Sequence, residues 1–338
     1  MKISKLIVVT IFLLNVNSIA RAQNADKIHL LSTFHIKSAG GWDYIAVQPN
    51  SNKLYVSHGS QVNILDKTTG DSLGVIANTA GVHGIAFVPA LNKGYTSNGR
   101  SNNISVFDLK TNALLSQIKT GENPDAIFYD NFSKKIITCN GRSKDLSIID
   151  PFTEKVVATI AVGGKPETAV SNNEGKLFVN IEDKNEIIVI DIDKYIVEKH
   201  WSLLPGESPT GLDYDFKTKR LFAGCGDSKL LVVVNGENGS IIEKLPIGDG
   251  CDGVAFDAVK QLIYASNGEG TLTVIKKSTK DKYVVAATVK TKRSARTIAI
   301  DEITHKIYLP AADLEAAPAG GGRPKMIDGT FQVLVFGE

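Results

Sequence analysis

Seven residues stand at nearly constant intervals along this chain, each just ahead of a short apolar run. They are Asp43, His83, Asp125, Glu167, Thr210, Asp252 and Arg296, spaced 40, 42, 42, 43, 42 and 44 residues apart. Brought together, carboxylates and an imidazole can exchange protons or ligate a metal, and a guanidinium can grip an anion by paired hydrogen bonds. A second column follows at His58, Asn98, Asn140, Asn180, Cys225, Asn267 and Ala311, and Arg100, Arg142, Glu182, Asp183, Asp227 and Glu269 lie just beyond it. Asp, Asn and Thr at strand ends often bond neighbouring backbone groups, so most of the repeated polar positions read as structural. The residues that break the repeat are the better functional candidates.

Trp42 stands where other units carry Pro, Val, Cys or Ala, and an indole there can stack on a ligand or simply pack. His58 replaces an Asn and His83 replaces an acid in adjacent units, which places two imidazoles around Asp43. That set allows ordinary hydrogen bonding, metal ligation or general-base chemistry, with hydrogen bonding favoured. Arg100, Arg142 and Arg296 either hold an anion or pair with Asp252, Asp125 or Glu182 across neighbouring units. The ligand-binding candidates are therefore Trp42, Asp43, His58, His83, Arg100, Asp125, Arg142, Glu167, Glu182, Asp252 and Arg296.

The elements that carry these residues are short strands. Each unit has an apolar strand, a Lys-bearing turn, a second strand such as Leu54-Tyr55-Val56-Ser57-His58 or Gly94-Tyr95-Thr96-Ser97-Asn98, and a third ending in Asp, as in Ile104-Ser105-Val106-Phe107-Asp108. A fourth strand follows, for example Val156 to Val162. β-Branched and aromatic residues alternate between Gly, Asn and Asp punctuation, and no helical period is present. Four strands at this period make a β-propeller blade, and the column counts seven. The last unit stops one strand short at Phe331–Phe336, while Ile28–Ile36 precedes the first unit unassigned. Pairing the two closes the ring and leaves no open seam. In such a ring the two polar columns share one face and crowd the mouth of the central channel, the usual character of a ligand site.

Tyr-Val-Ser-His at 55–58, Tyr-Thr-Ser-Asn at 95–98 and Tyr-Ala-Ser-Asn at 264–267, with Asn123-Pro124-Asp125 and Lys165-Pro166-Glu167, resemble the YVTN-type repeat of YncE-like seven-bladed propellers. The resemblance spans essentially the whole chain after its first residues. It implies an all-β, seven-bladed propeller of four-stranded antiparallel blades that is exported, and it attaches no single chemistry. Gly206–Thr210, Cys251 in place of Pro and an enlarged last unit depart from the strict repeat, so no site residue is carried over from the family.

Residues 1–22 read as a signal peptide: Lys2 and Lys5 precede an apolar run from Leu6 to Leu14, and Ala20-Arg21-Ala22 fits a cleavage site. The run is too short for a membrane anchor, and no later stretch reaches spanning length. Export to the periplasm or beyond follows, with residues 23–338 as one propeller domain. The formal charge of +2 on 338 residues falls once Lys2, Lys5 and Arg21 are removed, leaving 35 basic against 36 acidic side chains. A nearly neutral protein lacks the footprint of a nucleic-acid binder.

Cys139 reads as buried in a strand; Cys225 and Cys251 sit on adjacent blades, where a disulfide is open if their separation allows it. No spacing matches a zinc or haem motif. Residues 311–329 form a long loop in the last blade, a lid or a linker. The functional expectation is a monomeric, exported propeller that binds a small ligand or a protein at the channel mouth, with no cofactor. The alternative is a hydrolase resembling propeller lactonases, in which a divalent cation or a His/carboxylate pair activates water at Asp43, His58, His83 and Glu167. A quinone- or haem-dependent oxidoreductase ranks last, since the Trp-ended blade motif and Cys-x-x-Cys-His are missing.

Overall fold

The computed structural model describes residues 27–318 and 324–338. The proposed signal peptide lies outside the described residues. Seven four-stranded antiparallel sheets form the blades of a ring. The innermost strands are Ile45–Val47, Val82–Val88, Pro124–Asp130, Pro166–Ser171, Pro209–Asp215, Cys251–Asp257 and Ala299–Ile300. The second strand of each blade, such as Lys53–His58 or Lys93–Asn98, is buried on both faces between neighbouring sheets. That explains its near-continuous apolar run where a half-exposed strand would alternate.

Turns on the face away from the column residues repeat one device. The Asp that ends an inner strand turns back to accept backbone N–H groups, as Asp130 does from Phe132 and Ser133 and Asp257 does from Val259 and Lys260. The residue ahead of the second strand then takes the left-handed conformation, at φ 58° for Lys134 and 56° for Gln261. An Asx turn followed by a tight reversal fixes register without a glycine. Close approach matters more at Gly211, where an added Cβ would stand 2.6 Å from Val254 N. The inner strands of blades five and six touch backbone to backbone there.

Closure is as the two ends of the sequence demand. His29–His35 pairs antiparallel with Gln332–Gly337, from His29 opposite Gly337 to His35 opposite Gln332, and becomes the outermost strand of blade seven. The seam between blades seven and one is sewn further in. Tyr308 donates to the Lys67 carbonyl at 2.9 Å, and Lys67 pairs with buried Asp301 at 2.8 Å. Thr297 Oγ1 donates to the Asp43 carbonyl at 2.6 Å. No helix among the described residues is long and apolar enough to cross a membrane.

Candidate functional site at the channel mouth

The column residues lead into the inner strands, so the ring gathers them at one end of the bore. His83 Nδ1 donates to Asp43 Oδ2 at 2.6 Å, and Arg296 Nη2 donates to the other oxygen of Asp43 at 3.2 Å. Arg296 Nε turns to Asp252 Oδ2 at 2.5 Å. Asp125 approaches the same ring nitrogen, with Oδ1 3.7 Å from Nδ1. On blade four, Lys165 bridges Glu167, at 2.6 Å, and Glu182. The charges thus run Asp252, Arg296, Asp43, His83, Asp125 across blades six, seven, one, two and three. Blade five contributes neutral Thr210, whose hydroxyl donates to the Cys251 carbonyl at 2.7 Å.

Crowding of acids in a dry bore sets the proton affinities. Burial, then the charge of Asp43, pushes Asp125 up to about 7 despite His83. Burial and Asp125 push Glu167 up to about 8 against the pull of Lys165. Asp252 is likewise raised by burial, with Arg296 opposing. Burial alone would lower His83, but its bond to Asp43 and the charges of Asp125, Asp43 and Glu167 raise it to about 9. At neutral pH His83 is therefore an imidazolium.

Two site residues escaped the reading of the sequence. Tyr44 leaves blade one and packs against the apolar cluster between blades three and four that holds Ala126 and Ala169. It crosses the bore beneath the charged ring, and burial together with Asp125, Asp43, Glu167 and Asp252 holds its phenol well above the usual range. The position after the column residue is otherwise Gly84, Ala126, Thr168, Gly211, Gly253 and Thr297. One large side chain in a column of small ones was the available signal. Lys165 is similar: two places before the column residue the other units carry Gly41, Gly81, Asn123, Ser208, Gly250 and Ser294.

His58 does not join the cluster. It is fully buried, stacks on Phe331 with ring centroids 4.0 Å apart, and bonds Ser38 Oγ at 2.8 Å and the Gly40 carbonyl at 2.7 Å. Burial lowers its proton affinity, so the neutral ring donates from Nε2 and accepts at Nδ1. Its column explains the placement, since Asn98, Asn140 and Asn267 also turn into their own sheets, onto Ser105, Ser147 and Thr273. Arg100 and Arg142 are exposed on the rim, and neither forms an ion pair among the described residues. Of the three arginines, Arg296 is the one that pairs with an acid.

Beside the ring, a cavity of about 590 Å³ opens over blades five to seven, bounded by Trp42, Thr210, Asp252, Arg296, Leu314 and Met326 among others. Trp42 lies against Phe331 at 5.3 Å, and its buried indole N–H has no partner among the described residues. Leu314 and Met326 belong to the long loop of the last blade, where they face each other as a bridge with Glu315 N donating to Lys325 O and Ile327 N to Asp313 O, each at 2.8 Å. Lys292 pins the base to blade six's outgoing chain through Asp313 at 2.6 Å. The described arms of the loop thus pair at the mouth, and residues 319–323 lie outside the described residues.

All three cysteines are free thiols. Cys225 packs with Leu212 and Val232 on one face of blade five, and Cys251 with Phe222 and Val233 on the other, so the sheet itself separates them.

No protein-family model matches the sequence, and no curated protein matches it. Among solved structures, a chain of Kuenenia stuttgartiensis hydrazine synthase aligns with a TM-score of 0.70 at 17% identity, covering 81% of this chain and 94% of that one. The chain has the seven-bladed propeller fold. With 1726 solved chains matching it, the shape alone is too widespread to carry an activity.

Proposed function

We propose that this is an exported, monomeric propeller of the YncE-like kind that binds a small polar molecule in the cavity at its channel mouth. The observation that carries the reading is a drug-sized space of about 590 Å³ whose wall joins the indole of Trp42 to polar Thr210, Asp252 and Arg296. Arg296 and Thr210 supply polar groups across the space, while Leu314 and Met326 supply an apolar cover. Those walls suit a compact molecule with a ring or sugar face for the indole and a hydroxyl or carboxylate for the opposite side. Thermal-shift screening against sugar acids, polyols and aromatic acids tests this. A hit should raise the melting temperature and lose its effect in Trp42→Ala; a complete absence of hits, or hits indifferent to that variant, contradicts it.

One observation favours hydrolysis as the second reading. Asp125 and Glu167 hold protons near neutrality, which suits a general acid or base, whereas the imidazolium form of His83 has no free electron pair for base catalysis at Nδ1. A lactone-hydrolysing activity that disappears in Glu167→Gln would support it.

A further inference from the structure

We propose that Asp43, His83 and Asp125 form a binding site for one divalent transition-metal ion of the zinc or manganese type. The site goes beyond the ligand-binding reading, because none of the three lines the cavity. Their nearest ligand atoms, one nitrogen and two carboxylate oxygens, all lie within 4.8 Å of one another. Each comes from a different blade, at the start of an innermost strand paired with the second strand of its own sheet, so the spacing is set by the ring and not by a loose loop.

Asp125 supplies the independent sign of a missing partner. Its Oδ1 is buried and accepts no hydrogen bond among the described residues, yet it points toward His83 Nδ1 at 3.7 Å. A buried carboxylate oxygen without a donor is costly, and a cation at the centre of the cluster removes that cost.

The spacing suits the ion. Metal–ligand bonds of about 2.0–2.2 Å place adjacent ligand atoms about 3.0–3.4 Å apart. The observed 2.6 Å between His83 and Asp43 and 3.7 Å between His83 and Asp125 bracket that value. The two carboxylate oxygens lie within 4.8 Å of each other, so side-chain adjustment without backbone movement completes the site. On binding, the imidazole loses its Nδ1 proton to solvent and offers the lone pair to the ion.

Outer contacts already orient the ligands. Arg296 holds the second oxygen of Asp43 and is itself held by Asp252. The His83 ring rests over Gly99, where an added Cβ would stand 2.6 Å from Nε2. Such supporting contacts are what fixes ligand geometry in metal sites. One imidazole with two carboxylates favours zinc, manganese or ferrous iron over calcium, which prefers all-oxygen sites, and it leaves coordination positions open.

The test is calorimetric titration of the EDTA-stripped, dialysed protein with ZnCl₂ and MnCl₂, with metal content counted after dialysis. One equivalent should bind, Asp125→Asn should weaken it at least 100-fold, and Phe152→Ala, at an exposed turn away from the mouth, should leave it unchanged. Asp125 Oδ1 accepts no hydrogen bond among the described residues and the Asn variant removes only the long 3.7 Å ion pair with His83, so that variant should fold; if it does not, zinc-edge anomalous diffraction from the wild-type protein decides. An anomalous peak between the three residues supports the site. No binding, affinity within twofold of wild type in Asp125→Asn, or a peak only at surface histidines overturns it.

Discussion

Replacing His58 by Ala should destabilise the protein strongly, although the residue sits at the face that carries the site. The side chain is fully buried, so its removal opens a cavity worth about 2 kcal/mol at the low end of such truncations. The Gly40 carbonyl loses its donor, at about 1 kcal/mol, and the stacking on Phe331 adds about 0.5 kcal/mol or more. The total is roughly 3–4 kcal/mol, which for a chain of this length lowers the melting temperature by roughly 4–6 °C. Circular-dichroism melts at pH 7.5 in EDTA, where wild-type His58 is neutral, measure it without interference from titration or metal. Ser38→Ala, which removes one bond from the same ring, should cost about a third as much. A His58→Ala melt indistinguishable from wild type would refute the reasoning, because it would mean that the imidazole is not part of the joint between the closing strand and blade one.

Other outcomes follow from the same structure. Burial raises Asp213 from its ordinary 3.8 to about 6, although it accepts the backbone N–H of Tyr214 and Phe256. The folded state therefore keeps a proton that the unfolded chain releases, so this residue's contribution falls as pH rises from about 4 to about 6, by at most about 3 kcal/mol. Asp213→Asn should flatten that part of the stability–pH curve relative to wild type; an unchanged difference across the window would contradict it. Phe34→Ala, which strips the closing strand of a ring packed over Gly70, should cost about 3–4 kcal/mol in urea unfolding, and a loss under 1 kcal/mol would mean the strand closes the ring without anchoring it. Tyr44→Gly should open the bore beneath the charged ring and lower the apparent pKa of Asp125 as water enters, read by carboxyl carbon NMR; an unmoved titration would contradict the plugging role. Dithiothreitol should leave the melting temperature unchanged, since Cys225 and Cys251 are free; a drop would reveal a disulfide.

The architecture was legible because each blade repeats the same punctuation. Asp at the end of an inner strand and a polar residue in the left-handed turn recur in register, and the half-blades at the two ends complement one another. The carboxylates and arginine of the mouth were legible for the same reason, since one column of a closed ring must converge. Side-chain direction was not. His58 and His83 look alike as repeat-breaking histidines, but one follows a column that turns into its own sheet and the other a column that faces the bore. The signal for Tyr44 and Lys165 lies outside the column, in the small residues that the other units carry one place after it and two places before it. The off-axis position of the cavity depends on neutral Thr210 and on how the last hairpin folds over the mouth, and neither is written in a local pattern.

The most direct measurement is a crystal structure of the purified protein soaked with the strongest hit from the thermal-shift screen. The account expects seven blades closed by His29–His35, with the ligand held between Trp42 and Arg296 under Leu314 and Met326. A mouth filled by the protein's own side chains, or a ligand seated on another face while this one stays bare, would contradict it.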